Sequence, residues 1–255
     1  MRICVFGNSV ALRIRPPRTN PLERTYAEWL REDGHEVSVI ARAGVLVAEA
    51  FATIEDDVVS RFPDYVIINH GVVEVCLRQT VRSLNNRPIV NYYLNSVFAR
   101  PYIFATASSR IERVVWRVAN AVTRRISSAL GLRWQWMRVD RFIEVLDRTI
   151  ALIVKETSAR LVVIGINPCS LRVERQLRGS FAAIAVANTA MADLCGRFGE
   201  RVTFIDPGVA FEEAPLEEMV PDGIHLSSEG HRRMALLLSS LIGPERLVTN
   251  TGEAS

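Results

Sequence analysis

The sequence predicts an α/β protein in which about five parallel strands form a sheet with helices on both faces. Short apolar runs rich in β-branched residues recur along the chain, and longer segments with helical spacing lie between them. The runs are apolar throughout, as is typical of parallel strands buried on both faces. The chain has 255 residues, 49% hydrophobic and 23% charged, which suffices for one core and excludes a disordered or disulfide-rich class.

The strands are predicted over residues 3–6, 36–40, 65–68, 161–166 and 202–205. The first helix is predicted to start with Asn20 as its N-cap and Pro21 at its first position, and to end at Gly34. Further helices are predicted over residues 45–61, 140–158, 180–197 and 228–242. This alternation predicts a three-layer α/β/α domain with right-handed connections.

The third and fourth predicted strands are about 90 residues apart, far more than one crossover helix requires. We interpret residues 82–141 as a helical insert, a subdomain or lid within a single domain that spans residues 1–255. In the insert, Ser108 and Ser109 can cap a helix with one apolar stripe. The opposite side of that helix carries Arg110, Arg113, Arg117 and Arg124.

The basic charge of the chain is concentrated in this insert. The net charge is only +3, and Lys155 is the single lysine among 31 basic residues. The insert holds eleven arginines against two acids and eight of the 19 aromatic residues, so it carries +9 and the rest of the chain −6. The pattern predicts that Arg110, Arg113 and Arg117 bind an anionic substrate, an acidic carrier protein or a membrane surface, in preference to nucleic acid.

Other sequence features bear on location and cofactors. The four cysteines form no CxxC pair, which argues against a zinc site and an extracellular disulfide framework. The N-terminus runs directly into a predicted strand without a signal-peptide pattern, so we expect a cytoplasmic protein. The chain has no phosphate-binding glycine loop and no HExxH motif, so neither a metal nor an organic cofactor is expected.

Candidate catalytic residues follow the predicted strands, because the carboxyl ends of parallel strands meet at one edge of the sheet. A serine is a weak nucleophile until a histidine takes its proton, and a carboxylate can orient that histidine. The Asp-x-x-His segment before the last helix can supply both partners from one loop. The residues at this edge are Ser9, Gly44, Asn69, His70, Gly71, Asn167, Asp222 and His225.

Together these motifs resemble the SGNH (GDSL-type) hydrolases. The resemblance rests on Gly7-Asn8-Ser9, a glycine after the second strand, the Gly-x-x-acid segment at 71–74 and the closing segment 221–231. It implies a flavodoxin-like fold with Ser9 as nucleophile, His225 as general base and Asp222 as its orienting partner. It also implies that the backbone N–H groups of Ser9 and Gly44 bind the oxyanion.

The sequence departs from the family pattern at two positions. Asn8 replaces the aspartate of Gly-Asp-Ser, and an amide can still hydrogen-bond the loop. Val73 replaces the asparagine of Gly-x-Asn-Asp, and loss of one oxyanion donor typically costs about 100- to 1,000-fold in turnover. By strand alternation Asn69 is the preferred substitute donor and Asn167 the second choice.

The remaining residues near this edge have less specific roles. We expect His70 and Gly71 to contact substrate, although a histidine at a strand end is also typical of a hydrogen-bonded structural residue. Cys76 and Cys169 are expected to be small buried hydrophobes.

These observations predict a serine hydrolase that cleaves an ester, with an acetyl or other small acyl group, through an acyl-Ser9 intermediate. The substrate would be a small acyl ester, anionic or carrier-bound. One alternative is an acyltransferase of glycan or natural-product biosynthesis that uses the same triad. A second is a binding module that has kept the fold without the activity.

Overall fold

The computed structural model describes residues 1–14, 22–77, 130 and 135–243. Within these residues, five parallel strands form one sheet in the order β2-β1-β3-β4-β5. The strands are β1 (Arg2–Gly7), β2 (Glu36–Ala41), β3 (Tyr65–Asn69), β4 (Arg160–Ile164) and β5 (Val202–Ile205). The predicted parallel sheet of about five strands is confirmed.

The strand register brings the ends of the three neighbouring strands β2, β1 and β3 to the same level. Gly7, the last residue of β1, lies opposite Ala41 of β2 and Asn69 of β3. The residues that follow these strands therefore emerge side by side at one edge of the sheet. The candidate site residues of the first three motifs lie at this edge or just beyond it.

Helices cover both faces of the sheet and complete the three layers. They are α1 (Tyr26–Glu32), α2 (Val47–Phe51), α3 (Ile54–Asp57), α4 (Val72–Val75), α5 (Val139–Glu156), α6 (Leu171–Gln176), α7 (Ser180–Gly196), α8 (Leu216–Met219) and α9 (Ser228–Ile242). Helix α1 packs against α9, whereas α5 packs against α2 and α7. No helix in the described ranges is long and apolar enough to cross a membrane.

The first helix begins later than the sequence pattern predicts. Its N-cap is Thr25, whose hydroxyl accepts a hydrogen bond from the Glu28 N–H, while the Glu28 carboxylate accepts one from the Thr25 N–H. This capping box satisfies the N–H groups of Thr25 and Glu28 at the start of α1, which begins at Tyr26. Asn20 and Pro21, the predicted start, lie outside the described residues.

Two further predicted elements differ from the structure. The helix predicted over 45–61 is divided into α2, α3 and a 3₁₀ turn, with Thr53 between the first two and its hydroxyl bonded to Asp57. β4 ends at Ile164 rather than 166, because the backbone of Ile166 pairs with the side chain of Asn188 instead of a neighbouring strand. The Ile166 N–H donates to Asn188 Oδ1 (2.8 Å), and Asn188 Nδ2 donates to the Ile166 C=O (3.0 Å).

The predicted insert lies largely outside the described residues, and so do Arg110, Arg113, Arg117 and Arg124. Its final residues are described and are attached to α4. The Gln135 side chain donates to the Val75 C=O (3.0 Å), and the Met137 N–H donates to the Glu74 C=O (2.9 Å). The chain therefore returns from the insert to the helix that directly follows β3. The domain boundaries of the insert stay a prediction.

We expect Asn188→Ala to lower the free energy of unfolding by about 2 kcal/mol, because it leaves the N–H and C=O of buried Ile166 without partners. Urea denaturation followed by circular dichroism measures the effect. The control is Thr189→Ala, an exposed neighbour on α7, which should change stability by less than about 0.5 kcal/mol. Equal effects of the two substitutions would contradict the assigned role of Asn188.

Candidate active site

Ser9 is held at the end of β1 by its neighbour Asn8. The Asn8 N–H donates to the Asn69 C=O (3.2 Å), and Asn8 Oδ1 accepts from the Val10 N–H (3.2 Å). Asn8 thus acts as the N-cap of the 3₁₀ turn Ser9–Ala11 and is fully buried. Because the amide oxygen makes the capping bond, the departure from Gly-Asp-Ser preserves this local structure. Ser9 itself is partly exposed at the edge of the sheet.

Ser9, His225 and Asp222 form a continuous chain of hydrogen bonds. His225 Nε2 lies 3.2 Å from Ser9 Oγ, and His225 Nδ1 lies 2.7 Å from Asp222 Oδ2. The side chains of His225 and Asp222 are only 7% and 10% exposed. With the proton on Nδ1 directed at the carboxylate, Nε2 is the acceptor that faces the serine hydroxyl. The arrangement can accept a proton from Ser9 and stabilise the imidazolium that results.

The Asp222 carboxyl is held in its ionised form. Burial alone raises its pKa, but the His225 ring and the backbone N–H groups of His225 and Ile224 outweigh burial and leave the pKa below its ordinary value. Those N–H groups donate to Asp222 Oδ1 over 2.7 Å and 2.9 Å. The carboxylate therefore keeps one oxygen for the loop backbone and the other for the imidazole.

Two residues fix the loop that carries Asp222 and His225. Gly223 has a φ of 83°, and a Cβ there would overlap the Val173 side chain, so this position requires glycine. Asn167, which follows β4, donates from Nδ2 to the Ile224 C=O (3.0 Å). Asn167, the second-choice oxyanion donor, thus has its amide nitrogen already bonded to the histidine loop.

The other oxyanion candidates lie at the same edge. Gly44 is exposed in the turn after β2, with a φ of 73°. Asn69 is buried at the end of β3, whereas Val73 lies in the hydrophobic core and offers no polar group. A small cavity at this edge is lined by Val10, Asn69, His70, Val72, Gly165, Ile166 and Asn167.

His70 and Gly71, the two other residues expected to contact substrate, are buried. The His70 ring packs against Phe6 with the ring centroids 5.0 Å apart, and the side chain lines the cavity without exposure to solvent. Gly71 has a φ of 123°, and a Cβ there would lie 2.9 Å from Ile166 Cγ1. Gly71 therefore allows the tight turn into α4 that the packing against Ile166 requires.

Sequence reasoning did not identify Glu74 as a site residue. Its side chain is completely buried, and its carboxylate accepts hydrogen bonds from the N–H groups of Val47 (2.6 Å) and Gly71 (2.9 Å). His70 Nδ1 lies 3.5 Å from Glu74 Oε1, at ion-pair distance. The acid three residues after Gly71 was the available signal, because this is capping-box spacing. The bond to Val47, in contrast, joins segments 27 residues apart and has no local signature.

The four cysteines and His231 lie in buried environments. All four cysteines are free and buried, as predicted for Cys76 and Cys169, and burial raises the pKa of Cys169 to about 11. Burial also lowers the pKa of His231 to about 3, so this residue is neutral and accepts a hydrogen bond from the Tyr26 N–H. Among the residues described, no group of three His, Cys, Asp or Glu side chains is placed to hold a metal ion.

The comparisons with known proteins identify the fold. No protein-family model matches the sequence, and no curated protein matches it. The structure is similar to a lipase/acylhydrolase from Enterococcus faecalis (16% identity, 94% of each chain, TM-score 0.58). It is also similar to a GDSL-like lipase from Bacteroides thetaiotaomicron (12%, 94% of this chain and 87% of that chain, 0.54). A third similar structure is an acetylxylan esterase from Geobacillus stearothermophilus (14%, 95% and 94%, 0.56).

These structures share the three-layer fold of the SGNH, or GDSL-type, hydrolases, and this chain has that fold. The alignment with the Enterococcus faecalis structure covers 94% of this chain. At these identities the similarity establishes the architecture, and the activity has to be argued from the site itself.

We expect Asp222→Asn to lower stability in a pH-dependent manner. Because the folded-state pKa of Asp222 lies below its unfolded value, the ionised carboxylate stabilises the fold above about pH 4, and this contribution is lost as the pH falls through the folded-state pKa. At pH 7 the free energy of unfolding of the wild type should exceed that of the variant by about 2 kcal/mol. This difference should become smaller as the pH falls into the acid range. Urea denaturation across this pH range measures it.

Asp193→Asn, at an exposed position on α7, is the matched control and should change stability by less than about 0.5 kcal/mol at every pH. A gap between wild type and Asp222→Asn that is independent of pH would contradict the assigned charge state.

Proposed function

We propose that the protein is an SGNH-type esterase that hydrolyses a small acyl ester through an acyl-Ser9 intermediate. The observation that carries this proposal is the hydrogen-bonded chain from Ser9 through His225 to Asp222 at the carboxyl edge of the sheet. The similar solved structures include acylhydrolases and acetylxylan esterases. Catalytic mutants of one such esterase replace a serine and a histidine with alanine, which supports the same roles here.

In this mechanism, Ser9 Oγ attacks the ester carbonyl while His225 Nε2 takes the hydroxyl proton. Asp222 stabilises the imidazolium, and the N–H groups of Ser9 and Gly44, with the Asn69 amide, stabilise the tetrahedral oxyanion. His225 then protonates the departing alkoxide and leaves the acyl group on Ser9. Water attacks this acyl-enzyme with His225 again as the base, which releases the acid and restores Ser9.

The small volume of the cavity lined by Val10, the residue that follows Ser9, favours a short acyl chain such as acetyl, because it is no more than about 180 Å³. The buried apolar side chains of Val10, Val72 and Ile166 form part of its wall. Its polar side chains are those of Asn69, Asn167 and His70, and the two amides are suited to a carbonyl oxygen.

The positive charge of the insert is the basis for our proposal about the alcohol side of the substrate. Arg110, Arg113 and Arg117 in the +9 insert are proposed to bind an anionic or carrier-bound ester, an acidic carrier protein or a membrane surface. This part of the proposal rests on the sequence alone.

The acyltransferase alternative uses the same acyl-Ser9 intermediate and differs only in the group that accepts the acyl chain. Partial exposure of Ser9 favours hydrolysis, because water can reach the acyl-enzyme. Analysis of the products with added alcohols or amines distinguishes the two, since transfer diverts the acyl group from free acid. The binding-module alternative requires the triad to be inactive, and failure of any acyl donor or phosphonylating reagent to modify Ser9 would support it.

We expect Ser9→Ala to lower the turnover of p-nitrophenyl acetate by at least about 10,000-fold and to abolish labelling by a fluorophosphonate. His225→Ala should have a similar effect on turnover. The controls are Ser60→Ala and His35→Ala, which precede β3 and β2 at the opposite edge of the sheet and should retain full turnover. Retained turnover in Ser9→Ala, or labelling at another residue, would contradict the assignment.

We expect Asn69→Ala to lower kcat about 100-fold with KM changed by less than about threefold, because an oxyanion donor acts mainly in the transition state. Steady-state kinetics on the same ester measures both constants. Asn167→Ala serves as the comparison, and it should also lower stability because it releases the Ile224 C=O. A loss of kcat at constant stability in Asn167→Ala, with none in Asn69→Ala, would assign the donor to Asn167 instead.

A further inference from the structure

The buried Glu74 carboxylate joins two separate segments at the edge of the sheet. One oxygen accepts from the N–H of Val47, the first residue of α2, over 2.6 Å. The other accepts from the N–H of Gly71, at the turn into α4, over 2.9 Å. Val47 lies three residues after Gly44, and Gly71 lies two residues after Asn69. The carboxylate therefore bridges the segments that carry two of the proposed oxyanion donors.

We propose that Glu74 is a positioning residue of the oxyanion site, which holds the Gly44 segment and the Asn69 segment at a fixed separation. This inference rests on the proposed function, because it assigns Glu74 a role in that same reaction. Glu74 has no direct access to substrate, since its side chain is completely buried. It acts only through the two backbone segments that it joins.

The charge of Glu74 is needed for both hydrogen bonds. Burial alone raises its pKa, but His70 and the Val47 N–H outweigh burial and leave the pKa below its ordinary value. The His70 ring lies beside the carboxylate, with Nδ1 3.5 Å from Glu74 Oε1. An ionised carboxylate accepts at both oxygens, whereas a glutamine amide accepts at one and donates at the other. The amide cannot accept from both N–H groups at once.

This bridge matters more here than in a chain with the full family pattern. Val73 replaces the asparagine that the pattern would supply, so oxyanion stabilisation depends on the remaining donors. Gly44 lies in an exposed turn, and a shift of its N–H lengthens the hydrogen bond to the oxyanion. The Val47–Glu74 bond ties the helix that follows this turn to the segment that follows β3.

The test is Glu74→Gln, with kcat and KM measured on p-nitrophenyl acetate. We expect kcat to fall about 10- to 100-fold with KM within about twofold, because the loosened donors act on the transition state. Affinity for a boronic acid, which forms a tetrahedral adduct with a catalytic serine, should fall by the same factor as kcat/KM. If Glu74 only stabilised the fold, Glu74→Gln would lower the fraction of enzyme that is folded. In that case kcat, calculated per mole of Ser9 that can be labelled, and KM would both stay at their wild-type values.

The matched control is Glu49→Gln, on the same helix α2, whose carboxylate accepts from the Leu46 N–H (2.9 Å). Glu49→Gln should keep kcat within about twofold of the wild type. If Glu74→Gln keeps wild-type kcat/KM and boronate affinity, or loses no more than Glu49→Gln, the proposal is overturned. If the wild type itself fails to label at Ser9, the proposed function fails instead, and the two failures are thereby separate.

A second variant covers the case in which Glu74→Gln does not fold. Glu74→Asp keeps the charge but is one methylene shorter, so it cannot reach both N–H groups and should show the same loss of kcat. If circular dichroism shows that neither variant folds, Glu74 is required for folding rather than for positioning, and the proposal is rejected.

Discussion

The close approach of Gly7 on β1 to Asn69 on β3 is the contact on which the site depends. A Cβ at Gly7 would lie 2.9 Å from the Asn69 carbonyl oxygen and 3.2 Å from its Cβ, so a larger residue would force the strand ends apart. The absence of that Cβ allows the Asn8 N–H to donate to the Asn69 C=O. That bond sets the start of the 3₁₀ turn on which Ser9 lies. The segments of Ser9, the proposed nucleophile, and Asn69, the proposed oxyanion donor, are therefore held together with the help of one glycine.

Two buried carboxylates at this edge are stabilised in the same way and are used differently. Asp222 and Glu74 each accept hydrogen bonds from two backbone N–H groups, and each lies beside one histidine ring. These donors offset the cost of burying a charge, so both carboxylates keep a lowered pKa. His225 is aligned with Ser9, whereas the His70 ring packs against Phe6. The geometry of the first pair suits proton transfer with Ser9, whereas the carboxylate of the second joins two backbone segments.

Local sequence signals predicted the strands and the three residues that the structure joins in one hydrogen-bonded chain, Ser9, His225 and Asp222. Contacts between distant segments account for what the sequence did not predict. The strands are continuous apolar runs, and Asp222 and His225 lie three residues apart in one loop, so both could be identified from short segments. The start of α1 was wrong because Thr25 and Glu28 form a capping box that competes with the Asn20-Pro21 signal. The sequence did not predict the bridging contacts of Glu74, because one of them is a hydrogen bond from the Val47 N–H, 27 residues earlier in the chain. The four residues of the motif at 71–74 do not by themselves indicate a hydrogen bond to so distant a segment.

The two asparagines that the sequence could not rank are distinguished by which of their atoms form hydrogen bonds. Asn167 donates one of the two N–H groups of its side-chain amide to the Ile224 C=O, and this bond holds the histidine loop. Asn69 accepts a hydrogen bond from the Asn8 N–H through its backbone C=O, so its side-chain amide takes no part in that bond. Because both residues line the same cavity, a substrate carbonyl there would meet both amides. In the proposed reaction, a change in the side-chain hydrogen bonds of Asn69 would not release the loop that carries His225, and this favours Asn69 as the proposed oxyanion donor.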